Sequence, residues 1–151
     1  MQIRAARTDE ADALTGLAMR SKASWGYDAT FMQNVRSDMV VSRDDLEHSH
    51  CLVAEDEGRL CGYVLTFIDG ETALMRDLFI DPSYFGRGLG RDLFQRAIAH
   101  ARESGACVLT LQADPNARDF YEHLGMRCTG QAASIVGNGR TLPVMQLDLT
   151  E

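Results

Sequence analysis

The N-terminal part of the chain carries apolar residues at helical spacing. A short strand is predicted over residues 2–6, and a first helix begins after Thr8 or Asp9. A second helix follows Asp28. The residues that share the apolar faces of these two helices are Leu14, Leu17, Ala18, Phe31, Val35 and Met39. The polar stretch 41–49 predicts a loop with a helical turn.

From His50 onward the apolar residues run together or alternate as they do in β-strands. Three such stretches, separated by the turns EDEGR and DGE, predict an antiparallel meander that ends at Asp81-Pro82. Helical spacing returns over residues 88–104, and Gly105 is placed to end that helix. The stretch ACVLTLQ then predicts a buried strand parallel to the strand before the helix, and Pro115-Asn116 opens a short helix.

The C-terminal part predicts a β-hairpin. The segments MRCTGQAASIV and TLPVMQLDL flank Gly137-Asn138-Gly139, a pattern that favours a tight turn between two strands. No repeat, low-complexity tract or linker interrupts the chain, and 151 residues are enough to bury one hydrophobic core. We therefore predict a single domain over residues 1–151.

The composition is ordinary for a globular protein, with an acidic balance. No apolar run approaches the roughly 20 residues of a membrane span, and the N-terminus lacks the apolar block of a secretory signal. We therefore expect a cytoplasmic protein that does not bind membranes. The net charge of −7 disfavours nucleic acid as a partner. His48 and His50 stand beside Cys51 without a second cluster of ligands, so no metal is expected.

A glycine-rich turn joins the third strand of the meander to the long helix. Gly86, Gly88 and Gly90 alternate there, so little side-chain bulk keeps a ligand from the amides at the helix N-terminus. Four arginines lie between Gly86 and Arg102 against one acidic residue, Asp92. Because amides and positive charge together suit a phosphate group, the turn predicts a small polyanionic ligand.

Two nucleotide-binding loops fit this turn poorly. The P-loop needs a lysine and a hydroxyl residue after its last glycine, and both are absent. The dinucleotide fingerprint needs a third glycine where Leu93 stands, and its first glycine follows the strand directly, whereas five residues separate Ile80 from Gly86. A plain strand-to-helix connection, with glycine used only for a tight bend, remains the alternative.

The order of the elements and two motifs resemble the GNAT (Gcn5-related N-acetyltransferase) superfamily. The segment Phe85–Gly90 resembles its signature, [RQ]-x-x-G-x-[GA], at the same strand–turn–helix position. Thirty residues on, Asn116–Met126 resembles its second motif, N-x-x-A-x-x-F-Y-x-x-x-G-F, with Asn, Tyr and Gly in the expected places. The segments IRAARTDEADAL and SKASWGYD are similar to an uncharacterised bacterial branch of the family.

The resemblance implies a fold and an acyl donor. The fold is mixed α/β, with a central, twisted, mostly antiparallel seven-stranded sheet, helices on both faces, and a splay between strands 4 and 5. The donor is acetyl-CoA, with its pantetheine arm on the third meander strand and its pyrophosphate on the turn amides. Tyr121 is implied as the general acid that protonates the departing CoA thiolate. The residues implied in binding acetyl-CoA are Leu78, Phe79, Ile80, Phe85, Gly86, Arg87, Gly88, Leu89, Gly90, Arg91 and Asn116.

Two positions depart from the family pattern. Phe85 stands where the signature has Arg or Gln, which replaces a polar side-chain contact and leaves the amides in place. The glutamate that many members use as a base corresponds to Leu74, and the other frequent position falls near Leu111. Asp77 and Glu71 are the nearest acids in sequence, and both are interpreted as surface or turn residues. The base is therefore unassigned.

The resemblance also implies an acceptor site over the first two helices and the C-terminal hairpin, residues 135–142. Trp25, Tyr27, Asp28 and Phe31 are predicted to contact the acceptor. The favoured function is acetyl-CoA-dependent N-acetylation of a primary amine on a small or amino-acid-like molecule. A protein N-terminus or lysine as acceptor, and a non-catalytic module that binds acyl-CoA, remain alternatives. The sequence leaves the oligomeric state open, including a homodimer.

Overall fold

Seven strands form one mixed sheet in the computed structural model, which describes residues 1–134 and 139–150. The strands are β1 (Gln2–Ala5), β2 (His50–Asp56), β3 (Arg59–Asp69), β4 (Thr72–Ile80), β5 (Val108–Gln112), β6 (Arg127–Ala133) and β7 (Thr141–Asp148). Their spatial order is β1-β2-β3-β4-β5-β7-β6. Among the described neighbouring pairs, β4 and β5 are parallel and the others antiparallel. The predicted mostly antiparallel, mixed α/β sheet is confirmed.

Helices lie on both faces of this sheet. They are α1 (Ala11–Ala23), α2 (Ala29–Val35), α3 (Arg43–His48), α4 (Leu89–Glu103) and α5 (Arg118–His123), with 3₁₀ turns at Thr8–Glu10, Arg36–Met39, Pro82–Tyr84 and Pro115–Ala117. One core, which includes Leu93 and Phe94, lies between α4 and the sheet. A second core, which includes Leu14 and Leu17, lies between α1 and the opposite face. Within the described residues, no helix combines the length and the apolar character needed to cross a membrane.

The stretch 41–49, predicted as a loop with a helical turn, contains helix α3. Ser42 Oγ accepts a hydrogen bond from the Asp45 backbone N–H at 3.0 Å, and the Asp45 carboxylate accepts one from the Ser42 N–H at 2.9 Å. This capping box satisfies two amides that a short helix otherwise leaves unpaired. Asp28 begins α2 in a similar way, because its carboxylate accepts from the Phe31 N–H at 2.8 Å.

The C-terminal strands pair as the predicted hairpin, and the last strand lies inside the sheet. β6 and β7 are antiparallel neighbours, and β7 also pairs with β5, so the last strand lies between β5 and β6. Long-range pairing of this kind is not encoded in the local pattern of either strand. The predicted turn residues Gly137 and Asn138 lie outside the described residues.

β4 contains one residue more than the part of β3 opposite it. Two consecutive residues of β3 face Asp77 and Met75, so Arg76 between them forms a β-bulge. The extra residue exchanges the two faces of the strand, and Met75 and Leu78 therefore both pack into the core under α4. Pairing of β4 with β5 ends at Leu74, just before the bulge, so the predicted splay between strands 4 and 5 begins there.

Polar contacts surround the bulge. The Tyr63 hydroxyl donates to the Asp77 carboxylate at 2.9 Å, and the Arg76 guanidinium donates to the same group at 2.9 Å. Arg76 also pairs with Asp45 at 2.9 Å. Asp77 is only 7% exposed, so its interpretation as a surface or turn residue is wrong. The bulge turns its side chain inward, and local periodicity does not reveal a bulge. Glu71 does lie exposed, in the turn between β3 and β4.

Two imidazole rings stack where β2 meets the last turn of α4. The ring centroids of His50 and His100 are 3.5 Å apart and the rings are nearly parallel, at 7°. The Nδ1 atom of His50 is buried and makes no hydrogen bond to a described residue. Burial, together with repulsion from a charged His100, lowers the pKa of His50 below its ordinary value. The folded protein therefore favours neutral His50.

This stack predicts a loss of stability in mild acid. Because the pKa of His50 is lower in the folded than in the unfolded chain, its contribution is fully present above the unfolded value of about 6.5. This contribution to stability is lost as the pH falls through the lower pKa that His50 has in the folded chain. We expect the urea-determined free energy of unfolding to fall less between pH 7.5 and pH 5 in His50→Phe, which keeps an aromatic ring, than in the wild type.

The matched control is His123→Gln, because His123 is an exposed residue at the end of α5. This variant should lose as much stability as the wild type over the same pH range. An equal loss in His50→Phe and the wild type would contradict the assignment of the acid sensitivity to the stack.

Candidate active site

A cavity of about 710 Å³ opens where β4 and β5 separate. Residues of the glycine turn, α4 and α5 line what we call its turn side: Tyr84, Phe85, Gly86, Gly88, Leu89, Gly90, Arg91, Ala117 and Phe120. Residues on the face of the sheet that carries α1, α2 and α3 line what we call its helix side: Ser21, Lys22, Trp25, Val35, Asp38, Met39, Leu74, Arg76, Asp77 and Leu142. Tyr121 and the end of β4 lie between the two sides.

The end of β4 has one unpaired edge. Leu78, Phe79 and Ile80 pair with β3 on one side, whereas pairing with β5 covers only residues 72–74. All three residues line the cavity. Peptide groups on an open strand edge can bind an extended ligand in the way a further strand would. The predicted contact with a pantetheine arm therefore has the backbone it requires.

The glycine turn presents free amides to the turn side of the cavity. Gly86 and Gly88 have positive φ angles of 76° and 78°, and nothing lies within 4 Å of the place where a Cβ would stand on either. Gly88 is the N-cap of α4, so the first amides of this helix have no intrahelical partner. The turn therefore has the geometry of an anion site, with Arg91 also lining the cavity.

The other predicted residues of the turn take different positions. Phe85 is 51% exposed and contributes an apolar surface to the cavity. The Arg87 guanidinium lies 4.8 Å from the centre of the Tyr84 ring. Farther along α4, Arg96 pairs with Asp92 at 2.9 Å. The positive charge nearest the turn therefore comes from Arg87 and Arg91.

Tyr121 lies at the base of the cavity. It is 8% exposed, its ring contacts Phe94 and Phe120, and its hydroxyl makes no hydrogen bond to another described residue. Burial, with a smaller effect from the charges of Asp77 and Asp114, raises the pKa of Tyr121 above its ordinary value near 10. The hydroxyl therefore stays protonated at physiological pH and is available as a proton donor.

The two sequence motifs meet in space beside Tyr121. A Cβ on Gly90 would lie 3.2 Å from Cζ of Phe120, so the start of α4 and the helix α5 approach each other without a side chain between them. A larger residue at position 90 would force Phe120 to move.

Asn116 does not itself line the cavity, but its side chain belongs to a polar network around Asp114, which does. Its side-chain amide donates to the Tyr27 hydroxyl and to the Asp114 carboxylate, each at 3.0 Å. The Tyr27 hydroxyl donates to the Asp114 carboxylate at 2.9 Å, and the Lys22 ammonium group pairs with the same carboxylate at 2.5 Å. Arg140 donates to the Tyr27 hydroxyl at 2.8 Å. The predicted contact of Asn116 with the cofactor arm stays a prediction.

The four residues predicted to contact the acceptor divide into two groups. Trp25 is 49% exposed and lines the helix side of the cavity. Tyr27 stacks on Phe31 with ring centroids 4.0 Å apart, and Arg140 lies over both rings. The Asp28 carboxylate is occupied as the cap of α2. Tyr27, Asp28 and Phe31 do not line the cavity. Residues 135–138 of the predicted hairpin contact lie outside the described residues.

Among the described residues, three carboxylates line the cavity, although both family base positions carry leucine. Leu74 is 41% exposed inside the cavity, and Leu111 is 2% exposed in the core. The pKa of Asp77 is raised because burial outweighs the stabilising contact with Arg76. The pKa of Asp114 is lowered instead. Burial raises it, but the hydrogen bond and charge of Lys22, together with the hydrogen bonds from the Asn116 backbone and Tyr27, have the larger effect. Asp38, the third carboxylate, is exposed.

A comparison with known families identifies the group to which the chain belongs. Residues 19–126 match the model of the acetyltransferase (GNAT) family. The matched range contains the bulge, the glycine turn and α5. The chain belongs to the GNAT family. A candidate [ribosomal protein bS18]-alanine N-acetyltransferase of Bacillus subtilis (strain 168) is 30% identical to it over 108 residues, which cover 69% of this chain and 72% of that protein.

Two solved structures are similar to this GNAT chain over almost its whole length. The PaiA N-acetyltransferase of Thermoplasma acidophilum, in complex with coenzyme A, has a TM-score of 0.80 at 16% identity and covers 97% of this chain and 98% of its own. At that identity the likeness shows the fold alone. The candidate acetyltransferase yncA of Salmonella typhimurium, with its cofactor acetyl-CoA, has a TM-score of 0.71 at 28% identity. The match covers 100% of this chain and 95% of yncA.

Sequence reasoning missed two contributors to the site, Asp114 and Arg140, and misplaced a third, Asp77. Asp114 carried a usable signal, because an Asp directly before a proline is a frequent start of a helical turn, and its carboxylate does accept from the Asn116 N–H at 2.9 Å. Asp77 carried the wrong signal, since its burial depends on the bulge. Arg140 carried none, because a chain distance of 113 residues separates it from the Tyr27 hydroxyl that it contacts.

The glycine turn predicts that Gly88→Ala weakens acetyl-CoA binding. A side chain at a positive φ costs about 1–2 kcal/mol, and a shift that relieves this strain moves the amides out of position. We expect the dissociation constant for acetyl-CoA, measured by calorimetry, to rise about ten-fold.

Gly58→Ala is the matched control for this variant. Gly58 has a φ of +82° with nothing within 4 Å of its Cβ position, and it lies in the β2–β3 turn away from the cavity. It should lose similar stability and keep its affinity for acetyl-CoA. Equal affinity in both variants would contradict the assignment of the turn.

Proposed function

We propose that this chain transfers the acetyl group of acetyl-CoA to a primary amine of a small molecule. The observation that carries the proposal is that one cavity combines an open β4 edge, a glycine turn with free amides, and a buried tyrosine hydroxyl. Membership of the GNAT family and the coenzyme-bound relatives support acetyl-CoA as the donor. The amine would approach from the helix side.

The residues present fit the parts of acetyl-CoA. The free edge at Leu78, Phe79 and Ile80 suits the amide-bearing pantetheine arm, and the positive-φ glycines leave room for a pyrophosphate against the amides. Phe85 would contribute apolar contact where the family signature has a polar side chain. The arm would then end near Tyr121, where the reacting thioester is needed.

The reaction needs two proton transfers. The neutral amine nitrogen attacks the thioester carbonyl carbon, the carbon–nitrogen bond forms, and the carbon–sulfur bond breaks. The departing thiolate takes a proton from the Tyr121 hydroxyl, and the nitrogen gives up a proton on the helix side. Solvent then returns a proton to the Tyr121 phenolate and takes up the proton released on the helix side, so the enzyme is regenerated. The products are the N-acetylated amine and free CoA.

The role of Tyr121 is tested by Tyr121→Phe. A general acid contributes about 10²- to 10⁴-fold, so turnover, measured as release of CoA thiol, should fall by that amount while the dissociation constant of acetyl-CoA is unchanged. Because burial raises the pKa of Tyr121, the wild-type rate should not decline through deprotonation of this residue up to about pH 9.

Tyr84→Phe is the control, because Tyr84 also lines the cavity but its hydroxyl is occupied by Asp56 at 2.8 Å. This variant should turn over as the wild type does. Full activity in Tyr121→Phe would remove the acid role.

Asp77 is the carboxylate that we propose accepts the amine proton, directly or through water. It lines the helix side, and its raised pKa makes it a stronger base than an ordinary carboxylate. Asp114 is a weaker candidate, because its pKa is lowered. The contact of Asp77 with Tyr63 and Arg76 also holds the bulge, so a test must separate a catalytic from a structural role.

Asp77→Asn should lower kcat/KM by at least about ten-fold and remove one ascending limb of its pH profile. The wild-type profile rises with pH as Asp77 and the acceptor's ammonium group lose their protons, whereas the variant should follow the deprotonation of the acceptor alone. Tyr63→Phe provides the control, because it removes a hydrogen bond to Asp77 and keeps the carboxylate. A profile of wild-type shape in Asp77→Asn, with only a lower melting temperature, would leave Asp77 a structural residue.

A further inference from the structure

The helix side of the cavity exposes large apolar surfaces. Trp25 is 49% exposed and Leu74 is 41% exposed. Because Ala73 and Met75 pack under α4, Leu74 between them points to the opposite face, towards α1 and α2. Leu142 of β7 also lines this side. Apolar groups of this size are usually buried, so their exposure in a concave site indicates an apolar ligand.

The positive charges on the helix side are already neutralised. Lys22 pairs with Asp114 at 2.5 Å, and the two side chains are only 11% and 10% exposed. Arg76 pairs with Asp77 and with Asp45, each at 2.9 Å. A ligand carboxylate would have to break one of these half-buried or buried pairs to find a cation, and breaking such a pair leaves a charge without its partner.

One negative charge on the helix side is not neutralised. Asp38, in the 3₁₀ turn after α2, is exposed, lines the cavity, and makes no hydrogen bond or ion pair with another described residue. Its carboxylate is therefore free to attract a cation entering the cavity. The wall thus combines apolar surface with one available negative charge.

We propose that the acceptor is a lipophilic primary amine without a carboxylate, of the alkylamine or arylalkylamine class. Its apolar body would lie against Trp25 and Leu74, and its ammonium group would be drawn in by Asp38 before losing a proton. This inference rests on the proposed N-acetyltransferase function. Amino acids lack a cation to bind their carboxylate, and polyhydroxylated amines would lose hydration against Trp25 and Leu74 without compensating hydrogen bonds.

Three acceptors with the same aromatic body test the class. 2-Phenylethylamine carries no second group, phenylalanine adds a carboxylate, and phenylalaninamide adds a neutral amide of similar size. At saturating acetyl-CoA, and corrected for the fraction of free amine, kcat/KM from thiol release should be at least 100-fold higher for 2-phenylethylamine than for phenylalanine. For phenylalaninamide, kcat/KM should be at least ten-fold higher than for phenylalanine. Along linear alkylamines, kcat/KM should rise about four-fold per methylene until the cavity is filled.

Two variants test whether the preference for lipophilic amines arises from the helix side of the cavity. Trp25→Ala should lower kcat/KM for 2-phenylethylamine at least ten-fold and for methylamine less than two-fold. Val40→Ala is the control, because Val40 is 45% exposed and does not line the cavity. Asp38→Asn should lower kcat/KM for 2-phenylethylamine several-fold and reduce its dependence on salt. Asp12→Asn, an exposed acid on α1 outside the cavity, should change neither.

The outcomes separate the two proposals. Equal or faster acetylation of phenylalanine, spermidine or an alanine-starting peptide would overturn the lipophilic acceptor and leave the acetyltransferase function standing. A wild-type selectivity that survives in Trp25→Ala would also overturn it. If no amine releases thiol from a protein that binds acetyl-CoA by calorimetry, the proposed function fails, and the acceptor class fails with it.

Discussion

The extra residue in β4 is the constraint on which the site depends. By inserting Arg76, the strand exchanges its faces, so that Leu78 continues into the core begun by Met75 and the side chain of Asp77 turns to the opposite face. Pairing with β5 stops at Leu74, and the sheet opens from there. An open seam in the middle of a sheet leaves peptide groups unpaired, which is costly unless a ligand or water satisfies them. The bulge therefore makes the sheet locally incomplete and gives the protein its cavity.

Charged groups that are themselves costly to bury hold this opening. Asp77 is buried and pairs with Arg76, whose side chain is 28% exposed, and a buried charge that loses its partner destabilises the fold. Across the opening, Asp114, two residues after the end of β5, binds Lys22 of α1 and the Tyr27 hydroxyl. Each side of the opening is thus held by a carboxylate. Asp77 joins β4 to β3 through Tyr63, and Asp114 joins the segment after β5 to α1 through Lys22. A cavity held in this way is formed before any ligand binds, which lowers the entropy lost on binding.

Local chemistry made the elements and the glycine turn predictable, and long-range register made the rest unpredictable. The glycine turn is encoded within six residues, so its place at the start of α4 follows from the sequence. The helix α3 could also have been predicted, because Ser42 and Asp45 form a capping box. The polar composition of the stretch led to the prediction of a loop instead. The burial of Asp77 and the position of Arg140 depend on a bulge and on strand pairing, neither of which leaves a periodic signal.

The leucine at position 74 links the chemistry of the site to its specificity. A carboxylate there would serve as a base and would also bind cationic, hydrated acceptors. Leucine removes both effects and leaves an apolar wall beside Trp25. An ammonium group that moves from water to such a wall is desolvated, and desolvation lowers its pKa, so the proton leaves more readily. A lipophilic amine, the acceptor that we propose, would therefore supply part of the driving force that a carboxylate at position 74 would otherwise give. In this chain the absence of a carboxylate at position 74 and the apolar wall beside Trp25 have the same physical origin.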